Sequence, residues 1–449
     1  MSSIQLYPHQ VDALGSLDHM EGFALFFDMG TGKTLTIIRD MERRFGDGRN
    51  RRALVIAPLS VVHSWVREIE THSHLSVRAI RGTRKQRTEA MASEAQVKVI
   101  NYDLLYANLP ELMQIGADYL VADESQRLIS PSARWTKAAL KLSQIAKTKR
   151  VLTGTPIRNW PIDLYNQMRF INPSILPWRS HFAFRKEFAI EMNMGGFSKI
   201  IGVRNEHDIR QRCSPFVRYV AFDDAIAGMP EWVDEVREVP LNTEQKRVYR
   251  ELSKDLLTMV DDGLVTAQNA AIQTMRLSQI AGGTLLDSSG KAHRLGSNKL
   301  KELNTILDDN RGRQCVVWCK FTEEIRWLAE ELDAPCIYGA TGASERQAYL
   351  EMFEKGECSI LIAQVQTLAE GVNELKQADF EVRWSYDWSY TTFVQSRARL
   401  RRSGRDKTKP CISIQLVAEG TTDTKVIAAV RRKESVAVNT LEEIRRLIK

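Results

Sequence analysis

Seven consecutive residues, Asp28-Met29-Gly30-Thr31-Gly32-Lys33-Thr34, restrict what this chain can fold into more than any other stretch. They follow an apolar strand pattern at residues 23–28 and lead into a helical pattern at residues 35–44. A glycine-rich turn between strand and helix lets backbone N–H groups curl round phosphate oxygens, and the helix N-terminus adds partial positive charge. In that setting Gly30, Thr31 and Gly32 form the cradle, Lys33 reaches the β- and γ-phosphates, and Thr34 offers its hydroxyl to Mg²⁺. The longer eight-residue form of this pattern opens on glycine, where this chain has Phe27. A phosphate site of this kind also needs acids at a neighbouring strand end. Leu120-Val121-Ala122-Asp123-Glu124 supplies them, Asp123 to hold the metal and Glu124 to orient or deprotonate the attacking water.

Composition narrows the setting. The 449 residues are 43% hydrophobic and 27% charged, as expected of folded domains, and the length predicts about two to four of them. No stretch approaches the roughly 20 apolar residues of a membrane span. The first ten residues lack the basic and apolar segments of a secretory signal. Six cysteines are too few for a disulfide framework, so a cytoplasmic, non-secreted protein is expected, in the host cytoplasm if the source is viral. The net charge of +7 is uneven, with basic clusters at residues 43–52, 78–87 and 397–409. Such clusters suit a polyanion, although solvated surface charge fits any one of them equally well.

The first third alternates strand candidates, at residues 23–28, 53–57, 97–102, 119–123 and 150–153, with helical stretches. Val62, Trp65, Val66 and Ile69 show the spacing of an amphipathic helix. This alternation predicts an α/β fold with a doubly wound sheet. Residues 170–279 read as mostly helical, with a hinge-like turn at 223–230. Strand patterns return at 315–319, 360–364, 382–386 and 412–417. The spacing of Cys315 and Cys319 puts both on one face of a strand, as small core residues rather than metal ligands. His63, His72 and His74 carry no zinc pattern, and Trp160, Trp178 and Trp232 read as packing rather than base stacking.

Taken in order, these segments resemble superfamily 2 nucleic-acid motors of the Snf2-like group. Leu6-Tyr7-Pro8-His9-Gln10 is similar to the motif whose Gln reads adenine. The glycine-rich segment resembles the group's motif I, which also lacks the early glycine. Ala57-Pro58-Leu59-Ser60-Val61-Val62-His63-Ser64-Trp65 resembles motif Ia, a nucleic-acid contact. Asp123-Glu124-Ser125-Gln126 stands at motif II, Leu152-Thr153-Gly154-Thr155-Pro156 at motif III, and Trp318-Cys319-Lys320-Phe321 at motif IV. Gly371-Val372-Asn373 resembles the end of motif V, and residues 395–405 resemble motif VI. Gln126 departs from the usual His, and Arg158 from the usual Gln.

The resemblance implies two RecA-like lobes with helical insertions between them: lobe 1 at residues 1–170, an insertion and hinge at 171–235, and a helical segment plus lobe 2 at 236–449. It implies ATP and Mg²⁺ as cofactors, bound by Gln10, Gly30, Thr31, Gly32, Lys33, Thr34 and Asp123. Catalysis would rest on Lys33, Glu124 and two arginine fingers, Arg399 and Arg402, which spacing alone would put on one helical face. Gln126, Thr153, Gly154, Thr155 and Gly371 would couple hydrolysis to movement, and Pro58, Ser60, Trp65 and Asn373 would contact DNA. The Thr-Gly-Thr-Pro form of motif III favours duplex or branched DNA over RNA. Fork remodelling or branch migration in a compact viral or bacterial enzyme is the expectation. A 3′–5′ strand-separating helicase and a weakly hydrolysing, ATP-gated DNA-binding protein are the alternatives.

Overall fold

The computed structural model describes residues 5–193, 198–226, 228–261, 267–287, 289–368, 374–402, 405–406 and 408–448. The chain divides into two compact units. The first comprises Met1–Ala227 together with Lys433–Lys449, and the second Gly228–Arg432.

The first unit is built on a parallel sheet. Its strands are β1 (Gly22–Phe27), β2 (Ala53–Ala57), β3 (Val77–Ile80), β4 (Val97–Asn101), β5 (Tyr119–Asp123) and β6 (Thr148–Leu152). The chain then makes an antiparallel hairpin, β7 (Ala189–Asn193) and β8 (Ser198–Val203), before β9 (Val217–Val220) returns to the sheet. The spatial order is β3-β4-β2-β5-β6-β1-β9. Helices cover both faces, which is why β2, β4 and β5 are buried along their whole length and are mostly apolar, with Lys98 and Asn101 the polar members of β4. Register aligns Asp123 with Leu152 and Leu152 with Leu25, so β5, β6 and β1 end side by side.

A buried ionic network ties the helix Lys33–Gly46 to this sheet. Asp40 accepts from Arg150 Nε at 2.9 Å and from Arg44 Nε at 3.3 Å, and the Tyr119 hydroxyl donates to its second oxygen. Asp40, Arg44, Arg150 and Tyr119 are all no more than 1% exposed. Arg44 Nη1 donates to the Glu21 carboxylate at 3.1 Å, and the other guanidinium donors reach backbone carbonyls that include those of Leu17 and Met20, so no charge is left without a partner.

The second unit begins with β10 (Trp232–Val239). Two helices, Thr243–Asp261 and Ala267–Gly282, and a small hairpin, β11 (Thr284–Leu286) and β12 (Ala292–Arg294), follow. Then come β13 (Cys315–Cys319), β14 (Cys336–Ile337), β15 (Ile360–Gln364), β16 (Phe380–Arg383) and β17 (Cys411–Ala418). Its sheet is also parallel, in the order β10-β17-β16-β13-β15-β14. The final helix, Thr422–Ile448, starts in the second unit and ends in the first.

The two parallel α/β sheets agree with the expected fold class. The middle of the chain departs from the mostly helical reading, because β7, β8, β9 and β10 all fall there. The last two are hard to see in sequence for different reasons. β9 has only four residues directly after a 3₁₀ turn at Ser214–Phe216. β10 is an edge strand that carries Asp234, Glu235, Arg237 and Glu238, a charged pattern suited to an unpaired edge. Cys315 and Cys319 lie in the core beside Leu303, Ile325 and Val382, and burial pushes both thiols upward. Among the described residues no group of three or more His, Cys, Asp or Glu could hold a metal ion, and no helix is long and apolar enough to cross a membrane.

Candidate nucleotide site

The site assembles at the carboxyl edge of the first sheet, where β2, β5, β6 and β1 are neighbours and each hands over one segment. Ligands in such folds bind outside the carboxyl ends of the strands. The loop after β1 turns through Gly30 at φ 80° and Gly32 at φ 87°, values that favour glycine. At Gly32 the restriction is double, since an added Cβ would lie 2.4 Å from Gln10 Nε2. The helix starts at Lys33, with Gly32 as its N-cap.

Two neighbouring side chains shape the loop from outside. Gln10 is buried, and its Oε1 accepts from Tyr7 N at 2.8 Å while its Nε2 donates to Gly32 O at 3.1 Å. The adenine-reading residue of the resemblance is therefore placed as a brace on the loop backbone. His9 Nε2 donates to Thr31 O at 2.8 Å, and its ring stacks on Tyr7 and meets Phe27 edge-on. Sequence reasoning passed over His9, although it directly precedes Gln10 in the quoted motif. Thr31 Oγ1 closes the turn on Asp28 O at 2.7 Å. Lys33 Nζ donates to Phe27 O at 2.8 Å and Asp28 O at 3.2 Å, so its ammonium sits inside the loop's curve. Thr34 is partly exposed at the first turn of the helix.

The acids stand two strands along, beyond β6. Asp123 ends β5, and Trp65 Nε1 donates to its Oδ2 at 2.7 Å while Glu124 N donates to its Oδ1 at 2.9 Å. The Tyr102 hydroxyl holds the Asp123 carbonyl at 2.7 Å. Burial, together with the Glu124 charge, pushes the Asp123 carboxyl up to about 7, against the favourable pull of Trp65 and Lys33. Asp28 is pushed up to about 6 by burial, although Phe222 N donates to its Oδ2 at 2.9 Å.

Glu124 takes a left-handed backbone at φ 47°, and Gln126 steadies it. Gln126 Nε2 donates to Glu124 Oε2 at 2.7 Å, and Thr153 Oγ1 donates to Gln126 Oε1 at 2.6 Å. Thr155 N then donates to Thr153 Oγ1 at 2.9 Å. Thr155 Oγ1 is buried with no partner among the described residues. A continuous chain thus runs from the acid after β5 to the loop after β6. Gly154 lies so close to the P-loop that a Cβ would meet Met29 N and Phe27 O, each at 3.3 Å. Gln167, unremarked in sequence, anchors the arrangement by accepting from Ser125 Oγ and donating to Pro156 O, both at 2.7 Å.

Among the residues assigned to DNA, Ser60 is exposed and Pro58 is buried. Trp65 requires correction, because it is 1% exposed with its only polar atom committed to Asp123, so it offers a nucleic acid no surface. Gly371 and Asn373 lie outside the described residues.

The motif VI geometry also requires correction. The helix Tyr390–Leu400 ends before Arg402, and Arg401 leaves helical geometry at ψ 88°. Arg399 is on the helix and mostly buried, and Arg402 is in the turn that follows, so they share no helical face. The reason lies in their neighbours. Arg401 Nε donates to Pro230 O at 2.8 Å, drawing the chain off the helical path. Arg405 is buried and donates to the carbonyls of Lys376, Ala378 and Pro410.

A family model for the SNF2-related domain matches residues 9–284, and one for the helicase conserved C-terminal domain matches residues 298–404. This chain belongs to the SNF2-related family. The two parallel-sheet units are the two RecA-like lobes of that family. The Bacillus subtilis relative YwqA, named for an ATP-dependent helicase/translocase, is 25% identical over 436 residues, which cover 92% of this chain and 46% of the relative. Protein p41 of Acyrthosiphon pisum secondary endosymbiont phage 1 is 25% identical over 462 residues, covering 98% of both chains. A solved Sulfolobus solfataricus SWI2/SNF2 ATPase core in complex with dsDNA is 23% identical with a TM-score of 0.47, covering 99% of this chain and 97% of that one. The chain spans less than half the length of the first two curated relatives, at 46% and 41%.

Proposed function

We propose that this chain is an ATP-driven motor that moves along duplex or branched DNA. The observation that carries the reading is the hydrogen-bonded line Glu124–Gln126–Thr153 set beside the P-loop, because it links a water-activating acid to the neighbouring strand ends. Gly30, Thr31 and Gly32 cradle the phosphates. Lys33 turns from the Phe27 and Asp28 carbonyls to the β- and γ-phosphates, and Glu124 positions the attacking water.

The donor set fits Mg²⁺. Thr34 and Asp123 present hard oxygens, and each Asp123 oxygen uses one lone pair on a protein N–H and keeps another. The metal's contribution is to neutralise charge on the phosphate oxygens. Arg399 and Arg402 act as the arginines that stabilise the transferred phosphoryl group, a role carried by the family resemblance.

DNA is favoured as the track by the Thr153-Gly154-Thr155-Pro156 motif, by the exposed Ser60 and by the basic clusters. Backbone phosphate contacts of this kind are sequence-independent and weaken with salt. Fork remodelling or branch migration in replication, recombination or repair is the specific role proposed. Six free cysteines suit action in a reducing cytoplasm.

The test is steady-state ATPase at fixed salt with no nucleic acid, single-stranded DNA, duplex DNA, a four-way junction and RNA. Stimulation by duplex or junction DNA is expected. Stimulation by RNA alone, or no turnover on any substrate, overturns the reading.

A further inference from the structure

The loop exposed after β2 and the acid at the end of β5 are joined by one side chain. Leu59 is 65% exposed, and Ser60 and His63 are also on the surface. The helix Val62–His72 begins within this loop, and its inward face carries Val62, Trp65 and Ile69. Two turns at most separate the exposed residues from Trp65, whose indole N–H ends on Asp123 Oδ2 at 2.7 Å. β2 and β5 are direct neighbours, with Ile56 paired to Ala122, so the loop and the acid leave the sheet side by side. Asp123 Oδ1 is held by its neighbour's backbone, but Oδ2 is held by Trp65.

We propose that Trp65 is the positioning residue through which DNA at the loop 59–63 sets the orientation of the Asp123 carboxylate, so that DNA contact switches on ATP turnover. The inference rests on the functional reading above. Movement of a short rigid helix shifts a buried indole with it, and a charge-assisted bond passes that shift to the carboxylate. Trp65 touches neither DNA nor nucleotide, and its effect is on Asp123 alone.

The decisive variant is Trp65→Phe, which keeps a buried ring and removes the N–H. Tyr102→Phe is its companion, since it also removes a buried hydrogen bond to Asp123 but frees the backbone carbonyl and not the carboxylate. Duplex affinity is measured by fluorescence anisotropy without nucleotide, Mn²⁺ binding by electron paramagnetic resonance, and ATPase with and without duplex. For Trp65→Phe, duplex affinity stays within about twofold, Mn²⁺ binds more weakly, and the ratio of stimulated to basal turnover falls by roughly tenfold or more. Tyr102→Phe keeps the wild-type ratio.

A merely structural tryptophan lowers basal and stimulated rates together, and an unchanged ratio in Trp65→Phe overturns the inference. If Trp65→Phe does not fold, amide exchange in wild-type residues 119–126 decides. Duplex alone slows it if the link exists, and unchanged exchange refutes the link. A wild-type enzyme that ignores every DNA sinks the functional reading itself, a separate and recognisable outcome.

Discussion

Replacing Gln126 with Ala removes two hydrogen bonds from a side chain that is 2% exposed. One is the bond from Nε2 to Glu124 Oε2 at 2.7 Å, and the other is accepted from Thr153 Oγ1 at 2.6 Å. The first involves an ionised partner and is worth about 1.5–3 kcal/mol, and the second, between neutral groups, about 0.5–1.5 kcal/mol. Glu124 already stands on a left-handed backbone, so without Gln126 its carboxylate loses the partner that selects one rotamer. If the first bond acts in the transition state, its loss lowers kcat by roughly 10- to 150-fold. Bound ATP touches the P-loop rather than Gln126, so KM for ATP stays nearly constant. The assay is DNA-stimulated ATPase with kcat and KM resolved, on Gln126→Ala, Thr153→Val and the double variant. A connected chain predicts that the double variant is little worse than Gln126→Ala alone. An unchanged kcat, a loss confined to KM, or fully additive losses would each refute the reasoning.

Three further outcomes follow from the same geometry. Asp40→Ala takes the carboxylate from buried Arg150 and one of two from Arg44, which keeps Glu21, and should cost about 3–5 kcal/mol, measured by urea unfolding of the intact chain. Gly282→Ala places a Cβ 1.9 Å from Glu324 Oε1, inside a packed region where overfilling costs about 1–3 kcal/mol, visible as a lower thermal midpoint. Asp28 is raised to about 6 from an unfolded value of 3.8, so the folded state holds its proton more tightly. Its contribution to stability is therefore greatest below about pH 4, declines as pH rises to about 6, and stays lost above that. Asp28→Asn keeps an acceptor for Phe222 N and should lose this decline, so urea midpoints of the two proteins should converge at low pH and separate in favour of the variant at pH 7.

What could be read in the sequence divides by range. The P-loop was legible because its causes are local: glycines that take positive φ, a preceding apolar strand and a following helix. Strands such as β2 and β13 were legible for a similar reason, since burial on two faces leaves apolar runs, whereas β6 and β16 carry buried Arg150, Glu381 and Arg383. Motif order named Gln126 and Thr153, but nothing in sequence reports that their side chains meet 27 positions apart. Trp65 shows two signals in conflict. Its helical spacing with Val62 and Ile69 pointed inward, its place in motif Ia pointed outward to DNA, and packing followed the spacing. Arg402 misled because three-residue spacing implies a shared face only while a helix continues. The helix stops where Arg401 is drawn to a carbonyl 171 positions earlier. β10 was hidden by its charge, which suits an edge strand but breaks the apolar pattern.

The last helix carries a consequence for how the chain is made. Its end belongs to the first unit, where Glu443 pairs with Arg210, and Arg445 with Asp224 at 2.7 Å. A ribosome delivers Arg210 and Asp224 more than 200 residues before these partners. The first unit therefore cannot reach its final form during synthesis in simple order of emergence. It must hold a vacant seat while the whole second unit is translated, until Glu443 and Arg445 emerge to pair with Arg210 and Asp224.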